Sequence, residues 1–231
     1  MDNTPYSFLV SVNNPVPVPD PLQAQLPYDA EMASTIRLST ARRPEDTPLA
    51  RVFIPRSAQR LGHQVPVSIW IHCGPDSRLR CSVRSATPDV YEVCTTEGAS
   101  LATITRRAAR LLPWPRRVRW SAVVTNVPQP LTGKVGTWYA WLVYVATAPV
   151  WFLFALCMML YSFFDGTADD HTFRSPCRTR WRAPGTGTAL DYRGVSRTYR
   201  LDPQRLDTRV AYALAVVQTW ERVGRPQQKA G

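Results

Sequence analysis

The sequence predicts an α+β chain: a single-pass transmembrane helix, with a small mixed domain before it and an amphipathic helix after it. Three observations carry this expectation. From Val135 to Phe164 no side chain is charged, and Lys134 and Asp165 close the two ends; crossing the hydrocarbon core takes about 20 residues. Before that run, short segments alternate apolar and polar positions and are bounded by turn residues. After it, Asp202-Pro203 opens a stretch whose apolar residues recur at helical spacing.

Composition sets the outer bounds. A chain of 231 residues holds one ordinary domain plus appendages. The formal charge of +11 is almost all arginine, since Lys134 and Lys229 are the only lysines. Both flanks of the uncharged run are net basic, which suits anionic lipid headgroups, acidic subunits or RNA. Cys73, Cys81, Cys94, Cys157 and Cys177 are odd in number and form no C-x-x-C. Buried free thiols are expected, with a Cys73–Cys81 or Cys81–Cys94 bridge across neighbouring strands as the alternative. The first basic residue is Arg37, so neither an Arg-rich transit peptide nor a basic signal n-region stands at the extreme N-terminus. The membrane helix is expected to act as its own insertion signal, or the chain begins after processing.

Residues 1–48 are proline-rich; Asn13–Pro21 alternates proline through a stretch that reads as an extended or disordered arm. Residues 49–126 read as the small α+β domain. Val65–His72 and Leu79–Arg84 alternate like two strands, with Gly74-Pro75-Asp76-Ser77 as the turn between them. Val90–Cys94 is a further short strand. Glu97–Leu112 follows helical spacing, with Leu101, Ile104, Ala108 and Leu111 on one face, and Arg119–Thr125 returns to strand character. This order of strand, strand, helix, strand resembles the β-grasp arrangement of ubiquitin-like domains. The resemblance implies an architecture and no activity.

Residues 135–164 read as the transmembrane helix. Trp138, Tyr139 and Trp141 at one end, with Tyr161, Phe163 and Phe164 at the other, are placed as membrane-interface belts. Pro149 predicts a kink. Ala148, Ala155 and Ser162 recur every seven residues and mark a face for helix packing. The run holds no histidine for a haem and no charged group for an ion relay. Basic counts on the two sides are balanced, so orientation stays open. Residues 165–201 read as a polar irregular segment. Residues 202–224 read as an amphipathic helix with Asp202 as N-cap and Pro203 at its first position. Leu206, Val210, Ala213, Leu214, Val217 and Trp220 line one side, and a partner protein or the membrane interface is expected to cover them.

Chemistry-bearing constellations are absent from the string. His72, Cys73, Cys81 and Cys94 match no common zinc spacing. Asp169-Asp170-His171 reads as a solvated loop, and Gly185-Thr186-Gly187-Thr188 lacks the lysine and helix of a phosphate cradle. No catalytic residue, cofactor or metal is therefore expected, and the chain is not expected to be an enzyme. Arg116, Arg117, Arg119, Lys134, Arg174 and Arg178 are expected to meet lipid headgroups or an acidic partner. Arginines 106, 107 and 110 with Trp114 and Trp120, and Arg174–Arg182 with Trp181, also have the composition of a single-strand binder. Headgroup contact explains them as well, so nucleic acid is disfavoured.

The functional expectation is a non-catalytic single-pass accessory subunit of a larger membrane complex. By analogy it is placed in the respiratory chain of the mitochondrial inner membrane, with other subunits and anionic phospholipids as partners. The alternatives are a membrane-tethered interaction module presenting the β-grasp-like domain, or a viral membrane protein with basic flanks that bind RNA or lipid.

Overall fold

The computed structural model describes residues 4–18, 26–40, 47–56, 68–74, 78–107, 118–125, 127–135, 149, 153, 178–194 and 196–223. Twelve strands close into one antiparallel barrel: β1 (Tyr6–Pro17), β2 (Ala30–Leu38), β3 (Ala50–Pro55), β4 (Ser68–Cys73), β5 (Arg78–Thr87), β6 (Val90–Cys94), β7 (Ser100–Arg107), β8 (Arg119–Val124), β9 (Leu131–Val135), β10 (Arg178–Arg182), β11 (Thr188–Arg193) and β12 (Thr198–Leu201). Each strand pairs with its sequence neighbours, and β1 closes the ring on β12 with Tyr6 opposite Leu201 and Phe8 opposite Tyr199. Closure leaves no unpaired sheet edge. A final helix, α1 (Thr208–Val223), follows.

The helix occupies the lumen. Every residue from Val210 to Gln218 is buried, on all faces of the helix. Its side chains and carbonyls reach strands right around the ring. Tyr212 Oη lies 3.1 Å from Tyr6 Oη on β1, and Cys81 on β5 donates to the Arg209 carbonyl. Tyr91 on β6 and Arg106 on β7 donate to Glu221. Gln218 donates to Thr179 on β10, and Tyr199 on β12 donates to the Ala215 carbonyl. Only a helix inside the barrel meets all of these. The size fits: barrels of about eight strands are filled by side chains alone and those of about sixteen leave a channel, so twelve leave room for a helix. Ala211, Ala213 and Ala215 keep it slender.

Inward-facing strand residues complete the core. Phe8 stacks on Tyr199 at 5.4 Å and meets Tyr212 edge-on at 5.1 Å. Trp120 and Trp181 pack at 6.3 Å. Gly133, between them in register, is glycine because a Cβ there would stand 2.8 Å from the Trp181 ring. The lumen is thus mostly apolar, and the outer wall of β7–β12 is rich in arginine and threonine, whereas the outer side of β2–β4 carries a second apolar cluster of Leu26, Ala30, Met32, Phe53 and Trp70.

Several expectations are corrected. The chain is a barrel with a helical plug, not an α+β domain hung on a transmembrane helix. No helix among the described residues is long and apolar enough to cross a membrane. Within the uncharged run, Val135 is the last residue of β9, Pro149 and Leu153 are helical, and the remaining residues lie outside the described set. The single-pass accessory subunit, its inner-membrane location and the tethered or viral alternatives lose their basis with that helix. Residues 1–48 contribute β1 and β2, and 165–201 contribute β10, β11 and β12. Hairpin β4–β5 pairs as its alternation predicts, but Ser100–Arg107 is a strand and not a helix. There Ala102 and Ile104 face the lumen while Thr103 and Thr105 alternate outward, a period of two that outweighs the helical spacing. The β-grasp order fails with it. The C-terminal helix starts at Thr208, where the Asp207 carboxylate accepts from the Arg209 amide. Asp202-Pro203 forms a separate turn, with the Leu206 amide donating to the Asp202 carbonyl. The surface that was to cover the helix is the chain's own barrel.

Candidate anion-binding wall

Six adjacent strands place a continuous row of residues on the outside of the barrel. Arg107 on β7 stands opposite Arg119 on β8, Arg119 opposite Lys134 on β9, and Lys134 opposite Arg180 on β10. Arg180 stands opposite Asp191 on β11, and Asp191 opposite Arg200 on β12. Neighbouring strands lie about 4.8 Å apart, so five cations and one carboxylate share a band about 24 Å long. All point outward for one reason: their strand neighbours Arg106, Trp120, Gly133, Val135, Thr179, Trp181, Tyr192, Tyr199 and Leu201 point into the lumen. Period-two alternation forces the opposite choice on the charged positions. Arg178, Arg182 and Arg193 extend the wall on either side of the row.

Asp191 organises the centre of this wall. Its side chain is 9% exposed, and three arginines converge on it. Arg178 donates through Nε at 2.9 Å to one carboxylate oxygen and through Nη2 at 2.5 Å to the other. Arg180 Nε stands 3.8 Å away and Arg193 Nε 3.7 Å away. The acid neutralises one positive charge and fixes the direction of the Arg178 fork, with Arg180 and Arg193 held more loosely beside it. Arg107, Arg119, Lys134 and Arg200 make no ion pair among the described residues. Thr132, Thr188 and Ser121 share the outer face and add hydroxyl groups, with Arg182 donating to Thr188 at 3.0 Å. The arrangement can hold several phosphate groups at once.

Of the six residues expected to meet lipid headgroups or an acidic partner, the structure joins three. Arg119, Lys134 and Arg178 stand on the same wall. Arg116, Arg117 and Arg174 lie outside the described residues, as do Trp138, Tyr139, Trp141, Tyr161, Phe163 and Phe164 and the packing positions Ala148, Ala155 and Ser162. Arg106, grouped with the nucleic-acid candidates, faces the lumen and bridges Asp89 at 3.1 Å and Glu221 at 3.3 Å, where it holds the end of the helix. Arg107, Arg180 and Arg182, grouped in the sequence with the nucleic-acid candidates, stand on this wall, joined by Arg193, Arg200 and Asp191, which no local pattern singles out. A signal was present: Arg178-Thr179-Arg180-Trp181-Arg182 alternates a cation with an inward residue at every step.

The remaining chemistry stays dispersed. Cys73, Cys81 and Cys94 are free thiols. Burial raises the Cys73 thiol to about 11 and raises Cys81 further. His72 and Cys73 face opposite sides of β4, with His72 packed edge-on to Phe53 at 5.0 Å. No group of three metal-ligating side chains occurs among the described residues.

No family model, no curated protein and no solved structure matches this chain.

Proposed function

We propose that the protein is a binding module, not a catalyst, and that the outer wall of β7–β12 docks onto an anionic phospholipid surface. The observation that carries this reading is the row Arg107, Arg119, Lys134, Arg180 and Arg200, uninterrupted across strands except at Asp191. Like charges set directly opposite one another on paired strands destabilise a sheet, so a row of them points to a partner that supplies the missing negative charge. Each cation near an anionic membrane surface contributes about 1 kcal/mol.

Two features favour lipid over nucleic acid. Single-strand binders stack bases on exposed rings, but among the described residues the aromatics interleaved with these arginines, Trp120 and Trp181, are 3% and 0% exposed. The row also leads directly into the uncharged run, which starts one residue after Lys134. Leu153 within that run is 60% exposed, an apolar side chain suited to the headgroup–acyl boundary. The lumen, where other barrels hold ligands, is taken by α1.

Flotation of the full chain with vesicles tests this reading. Binding should rise steeply as phosphatidylglycerol replaces phosphatidylcholine and fall as salt is raised from 50 to about 500 mM. No flotation with the anionic vesicles at low salt, or tighter binding to single-stranded RNA than to vesicles at matched salt, would overturn it.

A further inference from the structure

At one end of the row the wall folds into a cleft. It has a volume of about 390 Å³ and lies where the start of β1 meets the end of β2 and the hairpin β11–β12. Two arginines, Arg193 and Arg200, line it together with the hydroxyl residues Ser7, Ser39, Thr40 and Thr198. Among the described residues, no carboxylate lines it. The backbone fixes the residues relative to one another: Arg200 stands opposite Ser7 across the β1–β12 seam, and Arg193 stands opposite Thr198 in the β11–β12 hairpin. The Ser39 amide donates to the Ser7 carbonyl at 2.9 Å and closes the third side. Ser196 and Thr198 share a hydroxyl hydrogen bond of 2.6 Å, which fixes the Thr198 rotor at the rim.

We propose that this cleft binds a phosphate monoester. This deepens the docking proposed above, since it names a headgroup chemistry for one end of the same wall. The chemistry of the lining selects the ligand. Two planar guanidinium forks match paired phosphate oxygens, and a monoester offers three such oxygens and close to two negative charges at neutral pH. Arg200 has no ion pair among the described residues, and Arg193 is held only loosely by Asp191 at 3.7 Å. Both forks can therefore turn to a ligand without breaking a short ion pair. Four hydroxyl groups satisfy the remaining lone pairs. The volume lies within the range of small-molecule pockets, roughly 300–1,000 Å³, which leaves room for the group esterified to the phosphate. A phosphodiester has one charge and no third terminal oxygen, so it would use the lining only in part.

The ligand can come from a lipid headgroup or a soluble ester, and the experiment separates them. Calorimetric titration of the full chain with glycerol 3-phosphate reads the soluble source. Flotation on vesicles of phosphatidate against phosphatidylglycerol, adjusted to equal surface charge, reads the lipid source. We expect glycerol 3-phosphate to bind, with a weakening of about tenfold or more in Arg193→Lys/Arg200→Lys, which keeps the charge and loses the forks. Ser7→Ala/Thr198→Val is a second variant that leaves every cation in place, and it should weaken the same titration. A phosphatidate preference lost in both variants identifies the lipid source; saturable soluble binding without that preference identifies the free ester. No saturable binding of glycerol 3-phosphate together with equal flotation on the two lipids would overturn the cleft, whatever the wall does. Binding of the soluble ester without any flotation would keep the cleft and overturn the wall.

Discussion

Arg119 and Lys134 stand directly opposite one another on β8 and β9, both exposed on the outer wall, and Arg180 flanks Lys134 from the other side. Cross-strand like charges of this kind cost up to about 1 kcal/mol per pair. Replacing Lys134 by glutamine removes two such contacts. The substitution should leave the melting temperature unchanged or raise it, while flotation on anionic vesicles falls. A thermal melt beside a flotation assay checks both signs, and a variant that loses stability together with binding would show Lys134 to be a structural residue.

Gly133 tests the inner side of the same strand. A methyl group there meets the Trp181 ring at 2.8 Å, and the opposite neighbour is Trp120. Both indoles are buried. Gly133→Ala should cost about 1–3 kcal/mol in urea unfolding, and Trp181→Phe in the same chain should recover part of that loss.

The helical plug is expected to behave as core. Leu214 is 1% exposed at the middle of α1. Leu214→Ala should lower stability by about 2–5 kcal/mol without altering the outer row. A surface or interface helix would lose under about 0.5 kcal/mol. Chemical denaturation separates the two.

Alkaline pH should loosen the same core. Tyr199 is fully enclosed; burial is the main cause that holds its hydroxyl up at about 12, against the ordinary value near 10. Tyr91 and Tyr212 are raised further, again mainly by burial. The folded chain then keeps protons that the unfolded chain releases, so stability is intact below about pH 10 and declines as pH rises from there toward 12. Tyrosinate absorbance of these three residues should appear together with loss of tertiary circular dichroism. Their ionisation near pH 10 in a chain that stays folded would contradict the burial.

The strands were legible where alternation was clean. Ser68–Cys73, Leu79–Arg84 and Val90–Cys94 carry alternating lumen-facing residues: Ile69 and Ile71, Cys81 and Val83, and Tyr91 and Val93. The first strand was hidden because Asn13–Pro17 reads as a proline-rich arm, although Tyr6–Leu9 pairs with β12 and Phe8–Val12 pairs with β2. Strand β7 was masked by a coincidence of spacing at Leu101 and Ile104, which suits a helix as well as a sheet. Barrel closure joins Tyr6 to Leu201, a contact between chain ends that no local pattern encodes. The plug was legible as a helix but not as a buried one. Its arginines and Glu221 gave it a polar side, and those groups turn out to be satisfied at the barrel ends by Asp207, Tyr192 and Arg106. The wall was legible only in part, because adjacency across six strands depends on register.

Two triple variants of equal charge change, compared in the flotation assay, test whether the outer wall of β7–β12 docks on anionic lipid. One is Arg119→Glu/Lys134→Glu/Arg180→Glu on the basic wall. The other is Arg78→Glu/Arg80→Glu/Arg84→Glu on β5, which lies across the ring from β10 and β11. The first variant should no longer float with phosphatidylglycerol vesicles, and the second should bind within about twofold of the parent chain. Equal loss in both would mean that binding follows net charge and not this wall, and the docking surface described here would be wrong.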